Sequence, residues 1–156
     1  MKLGLLVIAG SRPKWLDLAI QEFTEKIKHH VSFEIIELKA SGQSRDEREA
    51  KIKKESDTIL SYLKPDDYVV LLDERGTNLN SHQFSERLNR ILLSGKKRAF
   101  FVIGGAFGVS TELSSRADLK VSLAPFVLNH HVAQVVVAEQ IYRGFSILKN
   151  LPYHNI

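Results

Sequence analysis

The sequence of 156 residues contains no cysteine. Disulfide bonds, thiolate metal ligands and a cysteine nucleophile are therefore excluded. Long apolar runs are missing as well, since none approaches the roughly 20 residues that a helix needs to cross a bilayer. The apolar stretch Leu3–Ile8 is too short for a signal peptide and is followed at once by a helical pattern, so we interpret it as a first strand. We predict a cytoplasmic protein without a membrane partner.

Several signatures of common enzyme classes are also missing. The sequence has no P-loop signature, no G-x-G-x-x-G after the first strand and no G-x-S-x-G elbow. These absences argue against a P-loop nucleotide hydrolase, a Rossmann dinucleotide site and an α/β-hydrolase elbow. No H-E-x-x-H or other compact group of histidine and carboxylate residues indicates a metal ion, so we predict no metal site.

What is present is the composition of an ordinary globular protein, with 44% hydrophobic and 26% charged residues. The length predicts one domain that covers residues 1–156. The formal net charge of +4 slightly favours an RNA partner, because a basic protein attracts the phosphate backbone.

Strand and helix patterns alternate along the whole chain, and several of the strands are continuously apolar, which is typical of strands buried on both faces. This alternation predicts an α/β fold with a mostly parallel sheet and helices on both faces. A polar segment that contains a glycine, Ala40–Glu49, predicts a mobile loop. The predicted strands are 3–8, 31–38, 68–73, 99–103 and 119–123, and the predicted helices are 13–28, from Arg45 or Glu49 to Leu63, from an N-cap at Ser81 to Gly95, 110–117 and 131–148.

A glycine-rich turn, Gly104–Gly108, follows the fourth predicted strand. Its three glycines permit positive φ and let a ligand approach the backbone, because no Cβ stands in the way. A plain strand-to-helix turn explains the motif equally well. Two further loops, Leu72–Gly76 and Leu123–His131, also follow strands, and ligands bind at the carboxyl ends of parallel strands. If their strands are neighbours, the three loops line one pocket.

The most specific pattern is a set of motifs in the last third of the chain. They are Ile-Gly-Gly-Ala-Phe-Gly at 103–108, Leu-Asn-His at 128–130, Glu-Gln-Ile-Tyr-Arg at 139–143 and a terminal Tyr153-His154. Together they resemble the RlmH family of SPOUT-class methyltransferases, which modify N3 of a pseudouridine in large-subunit ribosomal RNA. The resemblance covers the whole chain, and its combination of motifs is specific although each motif alone is weak.

The resemblance implies a SPOUT-type α/β fold with a deep C-terminal trefoil knot, an exception to the rule that chains do not thread loops. It also implies a homodimer with the last helix at the interface. The apolar run Val132–Ala138 agrees, because such a run favours a helix that is buried on more than one side. The implied substrate is large-subunit ribosomal RNA in the assembled ribosome.

The loops of the knot bind S-adenosyl-L-methionine in this family, so the resemblance assigns cofactor contacts by position. Apolar walls and bare backbone suit an adenine ring, which needs no particular polar side chain. Without the resemblance, the segment 123–128 is better interpreted as an ordinary strand end before a proline turn. The implied cofactor residues are Leu72, Gly104, Leu123, Ala124, Pro125, Phe126, Val127 and Leu128.

The reaction needs the target N3 held in line with the methyl group and a path for the N3 proton. The resemblance implies His130, Arg143, Tyr153 and His154 as catalytic candidates, with the C-terminal tail closing over the cofactor. His130 or His154 would accept the proton, and Arg143 would hold a phosphate or stabilise a developing anion. A plain ion pair with Glu139, four residues earlier on the helix, is an equally good explanation of Arg143.

The sequence departs from the family pattern in two places. Gln134 stands where an arginine is common, and Asn155-Ile156 follows the terminal Tyr-His where a basic residue is usual. Both changes remove positive charge near the predicted site and concern RNA contact more than cofactor binding. Two other functions stay open: a non-catalytic RNA- or ribosome-binding module on the same fold, and a small hydrolase or nucleotide-binding protein that uses Asp73 and the glycine turn.

Overall fold

A computed structural model describes residues 1–40 and 47–155 of the chain. In these residues five strands form one all-parallel sheet in the order β2-β1-β4-β3-β5. The predicted α/β class with a parallel sheet is confirmed. The strands are β1 Lys2–Ile8, β2 Ser32–Leu38, β3 Tyr68–Asn78, β4 Arg98–Ile103 and β5 Leu119–Ser122, and the helices are α1 Lys14–Lys28, α2 Arg48–Tyr62, α3 Ser81–Leu92, α4 Thr111–Arg116 and α5 His130–Leu148.

Among the described residues, apolar cores lie on both faces of the sheet, because side chains alternate along each strand. Leu5 and Phe101 belong to the core beneath α1, α3 and α5. Leu6 and Phe100 belong to the core beneath α2 and α4. The predicted helices on both faces are therefore confirmed. On the first face α5 contacts both α1 and α3, so the last helix packs in the middle of its layer.

The cap of α3 differs from the prediction. Asn80, and not Ser81, is the N-cap of α3: its side chain accepts from the Gln83 N–H at 2.9 Å, and the Gln83 side chain accepts from the Asn80 N–H at 2.9 Å. This reciprocal pair is a capping box, which satisfies two backbone donors at once. The alternative start of α2 at Arg45 and most of the predicted loop lie outside the described residues.

The third strand is longer than predicted and includes the segment expected to be a loop. Val121 of β5 pairs first with Leu72 and again with Thr77, so residues 73–76 leave the ladder between these two pairings. The backbone of Gly76 packs closely against β5, because an added Cβ at Gly76 would be 2.6 Å from the backbone nitrogen of Val121. The prediction of a simple connecting loop at 72–76 is wrong, because the chain returns to the same partner strand after an irregularity.

The sheet order explains how distant parts of the chain come together. Strands β4, β3 and β5 are consecutive neighbours and all run in the same direction. The segments 73–76, 104–108 and 123–129 therefore meet at one edge of the sheet. Among the described residues, no helix is long and apolar enough to cross a membrane.

Candidate functional site

A cleft of about 680 Å³ opens at this carboxyl edge, between the segments that follow β4 and β5 and the irregularity of β3. Its walls combine the bare backbone of the glycine turn with apolar side chains. Pro125 lies outside the lining of the cleft. The other residues implied as cofactor contacts all line it: Leu72, Gly104, Leu123, Ala124, Phe126, Val127 and Leu128.

The glycine turn forms one wall, and its geometry explains two of its glycines. The N–H of Gly108 donates to the carbonyl of Gly105 at 3.1 Å, which closes a tight turn. Gly108 has φ of 96°, a conformation that residues with a Cβ rarely adopt. At Gly104 an added Cβ would lie 2.4 Å from Cγ1 of Val109. The turn therefore requires glycine for its own geometry, and the same bare backbone faces the cleft.

Sequence reasoning misses Glu55, which lies against the glycine turn. Its side chain is buried, with 6% exposed, and its Oε2 has no hydrogen-bond partner among the residues that the structure describes. An added Cβ at Gly105 would lie 1.7 Å from this oxygen, so the carboxylate fills the space beside the turn. Burial raises the pKa of Glu55, against an opposing effect of Lys51. One signal was available: Glu55 is charged although it occupies the inward spacing of Ile52 and Ile59.

His130 is the titratable candidate that the structure places in the cleft wall. It begins α5, whose N-cap Asn129 accepts from the N–H groups of His131 at 2.9 Å and Val132 at 3.4 Å. Burial lowers the pKa of His130, the nearby His131 lowers it further, and a hydrogen bond to the Gly104 backbone acts in the opposite direction. A lowered pKa keeps the imidazole neutral at neutral pH, the form that can accept a proton.

Asp73, also in the cleft wall, is held in an ion pair. Its Oδ1 accepts from the Arg75 N–H at 2.8 Å, and its Oδ2 accepts from Nη2 of Arg75 at 2.9 Å. The hydrogen bonds from Arg75 lower the pKa of Asp73. A carboxylate with a lowered pKa is a weak base, so this geometry gives no support to a hydrolase that uses Asp73 as its general base.

Arg143, Tyr153 and His154 form a second group around Glu139, here called the tail cluster. Nε of Arg143 donates to Oε1 of Glu139 at 2.9 Å, and the Tyr153 hydroxyl donates to the same oxygen at 3.1 Å. Nη1 of Arg143 lies 3.1 Å from Nδ1 of His154, and because a guanidinium only donates, Nδ1 accepts. The ring of His154 also contacts His82 of α3, with 4.9 Å between centroids. The ion pair with Glu139 proposed for Arg143 is therefore present.

The tail cluster lies apart from the cleft of its own chain. None of its residues lines the cleft. Arg143 and His130 are on the same helix, separated by about 20 Å along the axis at 1.5 Å per residue. The structure thus unites His130 with the implied cofactor residues and gathers Arg143, Tyr153 and His154 elsewhere. Within one chain the tail does not close over the cleft, because it docks against α5 and α3 instead.

The two departures from the family pattern fall in different environments. Gln134 is buried in α5, and its Oε1 has no hydrogen-bond partner within the described ranges. Asn155 is exposed, and Ile156 lies outside the described residues. The change at Gln134 therefore affects the interior of the chain as well as its charge. In the portion that the structure describes, no three histidine or carboxylate side chains are grouped as a metal site would require.

The parallel sheet and the apolar cleft at its carboxyl edge agree with the fold and cofactor site that the resemblance to the SPOUT class implies. A family model described as "Predicted SPOUT methyltransferase" matches residues 1–154. The chain belongs to this family of methyltransferases, and the resemblance drawn from its motifs is confirmed.

Individual relatives carry a more specific name. The "Ribosomal RNA large subunit methyltransferase H" of Bdellovibrio bacteriovorus is 49% identical over 156 residues, which cover 100% of both chains. Proteins of the same name from Christiangramia forsetii and Parabacteroides distasonis are 39% and 37% identical, each over 99% of both chains. The chain is thus similar along its full length to enzymes named for methylation of large-subunit ribosomal RNA.

Proposed function

We propose that this protein is an S-adenosyl-L-methionine-dependent methyltransferase that modifies N3 of a pseudouridine in 23S ribosomal RNA, on the assembled ribosome in the cytoplasm. The observation that carries the proposal is the cleft at the carboxyl edge of the sheet, with His130 in its wall. Support also comes from the relatives named ribosomal RNA large subunit methyltransferase H and from the net charge of +4.

The cleft fits S-adenosyl-L-methionine in size and in the chemistry of its walls. Bare backbone at Gly104 and Gly105 offers main-chain hydrogen bonds to an adenine, and Leu72, Leu123 and Leu128 offer apolar surface. When bound, the cofactor supplies a sulfonium methyl group that is electrophilic without a metal ion. The task of the protein is then to position the base and remove its N3 proton.

His130 is suited to accept the N3 proton. Its imidazole is kept neutral by burial, and it lies in the same wall as Gly104, to whose backbone it is hydrogen-bonded. Asn129 fixes the start of α5 through its capping hydrogen bonds, and so fixes the position of the ring. A positioned base with a pKa near or below neutrality contributes about 10²- to 10⁴-fold to a proton transfer.

The tail cluster takes part in the proposed reaction through a homodimer. Trp15 and Leu18 of α1 and Val132 of α5 are exposed apolar side chains, and the Trp15 ring lies 6.2 Å from that of His131. This α1–α5 surface is suited to a second copy of the chain. A two-fold axis that pairs the α5 helices antiparallel would bring each tail cluster to the opposite cleft, which removes the 20 Å separation.

The deep trefoil knot is part of the same proposal. The family uses the knotted segments to shape the cofactor cleft, and the corresponding segments of this chain, around 72–76, 104–108 and 123–129, are neighbours at one edge of the sheet. Their proximity agrees with a chain that crosses itself there.

Calorimetric titration of the purified protein with S-adenosyl-L-methionine tests the proposal. Binding with one cofactor site per cleft is expected. Absence of binding at millimolar cofactor would contradict the proposed methyltransferase activity. It would favour the alternative function, a non-catalytic module that binds RNA or ribosomes. Titration with S-adenosylhomocysteine is the matched control, because it presents the same adenine and methionine groups without the reactive methyl.

A further inference from the structure

The tip of the glycine turn carries an exposed aromatic ring. Phe107 follows Ala106 in the tight turn closed by Gly105 and Gly108, and its side chain is 44% exposed. It belongs to none of the apolar cores formed by the described residues. One exposed phenylalanine is ordinary on a protein surface, so its meaning depends on what surrounds it.

Two cations from α2 flank this ring. The guanidinium carbon of Arg48 and the ammonium nitrogen of Lys51 each lie 5.5 Å from the centroid of Phe107. The two residues share one face of the helix because they are three positions apart. Neither forms an ion pair with any residue that the structure describes. Lys51 also acts on the carboxylate of Glu55, whose pKa it lowers, without forming an ion pair with it.

Two of these side chains line the cleft, and Lys51 lies beside them at the Phe107 ring. Arg48 and Phe107 both line the cleft that holds His130. An aromatic face beside two cations is the combination that binds single-stranded nucleic acid, because bases stack on the ring and phosphates contact the cations. A base that is methylated at N3 must also leave its stacked neighbours, so an aromatic ring at the entrance offers replacement stacking.

We propose that Phe107, Arg48 and Lys51 form a stacking platform for an unpaired nucleotide next to the methylated base. The base lies on the Phe107 ring, and the flanking phosphates contact Arg48 and Lys51. This inference rests on the proposed RNA methyltransferase function and adds the surface by which the substrate strand is held. It commits to RNA because a purely apolar partner would leave the two cations buried without counter-charges.

The test compares Phe107→Ala with the wild-type protein on ribosomes that lack the methyl group. The KM for ribosomes should rise roughly tenfold, the lower part of the range for loss of one base–aromatic stack. The affinity for S-adenosyl-L-methionine should stay within about twofold, and Phe107→Trp should restore KM because a larger ring stacks at least as well. Thermal unfolding of Phe107→Ala should match the wild type, since the ring is outside the cores.

The cations are tested by the salt dependence of ribosome binding. Arg48→Ala and Lys51→Ala should each weaken binding and lower the slope of log affinity against log salt by about 1. Lys97→Ala is the matched control for the cations and Leu93→Ala is the control for Phe107→Ala. Lys97 precedes β4 and Leu93 follows α3, so both lie toward the amino edge of β4, away from the cleft. Both controls should behave like the wild type.

The outcomes separate this inference from the proposed function. If the wild-type enzyme is active and Phe107→Ala has the same KM for ribosomes, the proposed stacking platform is overturned. The proposed methyltransferase function is then unaffected. A loss of cofactor affinity with unchanged KM for ribosomes would also overturn it, since Phe107 would then belong to the cofactor site. If the wild type transfers no methyl group, the proposed function fails, and direct ribosome binding decides: weaker binding by Phe107→Ala supports the platform, and equal binding overturns it.

Discussion

At the scale of single residues, two titratable groups beside the glycine turn, the half-buried His130 and the buried Glu55, have pKa values shifted in opposite directions. Burial lowers the pKa of His130 and raises the pKa of Glu55, because in both cases the charged form loses hydration. Both residues contact the glycine turn, His130 at the Gly104 backbone and Glu55 at Gly105. Each shift predicts a separate measurable pH dependence.

The pH profile of methyl transfer should report on His130. A base with a lowered pKa is already deprotonated below the ordinary imidazole value of about 6.5, so kcat should rise with pH and level off below that value. His130→Gln should lower kcat by about 10²-fold and remove this rise. His29→Gln, at the exposed end of α1, is the control. A rise that persists unchanged in His130→Gln would show that another group accepts the proton.

Thermal unfolding at several pH values should report on Glu55. Its folded-state pKa is above that of the unfolded chain, so the folded state holds its proton more tightly and the free energy of unfolding falls as pH rises between the two values. Glu55→Gln should therefore be more stable than the wild type by about 1 kcal/mol at pH 8, with the difference vanishing below the ordinary glutamate pKa. Glu49 is exposed on the same helix, so Glu49→Gln should show no such pH-dependent change in stability. A Glu55→Gln protein that is less stable than the wild type at pH 8 would contradict the raised pKa of Glu55.

At the scale of elements, the glycine turn is the part on which we expect cofactor binding to depend most directly. Gly104→Val should lower the affinity for S-adenosyl-L-methionine by about a hundredfold or more, because the new side chain collides with Val109 and forces one of the two into the cleft. Gly10→Ala is the matched control, since an added Cβ at Gly10 meets no atom within 4 Å. Calorimetry measures both, and unchanged affinity in Gly104→Val would place the cofactor elsewhere.

The elements themselves could largely be predicted from the sequence, because the periodicity of apolar residues is local information. The predictions that were wrong depend on contacts between residues that are distant in the sequence or on the folding of a turn. β3 continues through Gly76 because its chain returns to Val121, a partner more than forty residues away, and Pro125 misses the cleft because of how the turn after β5 folds. Asn80 displaces Ser81 as a cap because Gln83 completes a reciprocal pair that Asn80 alone can form.

The candidate site was less accessible to sequence reasoning than the fold. The cleft residues were assigned by resemblance to a family, since apolar and glycine positions carry no chemical signature of a cofactor. The burial of Glu55 was not predicted, because a single carboxylate on an amphipathic helix is usually solvated. The position of the tail cluster could not be derived, because it depends on contacts of Tyr153 and His154 with Glu139 and His82 that only the folded chain defines.

At the scale of the whole molecule, the cleft and the tail cluster, which we propose to act in one reaction, do not meet within one chain. His130 lies in the cleft, and Arg143 lies about 20 Å away along α5, where it is hydrogen-bonded to His154. The proposed reaction therefore requires a second subunit, and the exposed apolar side chains of Trp15 and Leu18 are suited to contact it. In solution the wild-type protein should have twice the chain mass of 17.7 kDa.

Mixing two inactive variants tests whether the site is shared between subunits. His130→Gln damages the cleft and His154→Ala damages the tail cluster, so each homodimer should be impaired in methyl transfer. After dissociation and mixing, half of the dimers are mixed, and each mixed dimer has one undamaged combination of cleft and tail. Activity should then recover to about one quarter of the wild type. No recovery, with mixed dimers shown by mass spectrometry, would mean that both residues act within one chain.

The central claim is that this cleft transfers a methyl group from S-adenosyl-L-methionine to ribosomal RNA. The most direct measurement incubates ribosomes that lack the modification with the protein and methyl-labelled cofactor, followed by nuclease digestion and mass spectrometry of the RNA. The account predicts one labelled methyl group on a pseudouridine of the large subunit, and none with Gly104→Val. No label from the wild-type protein, or equal labelling by Gly104→Val, would contradict it.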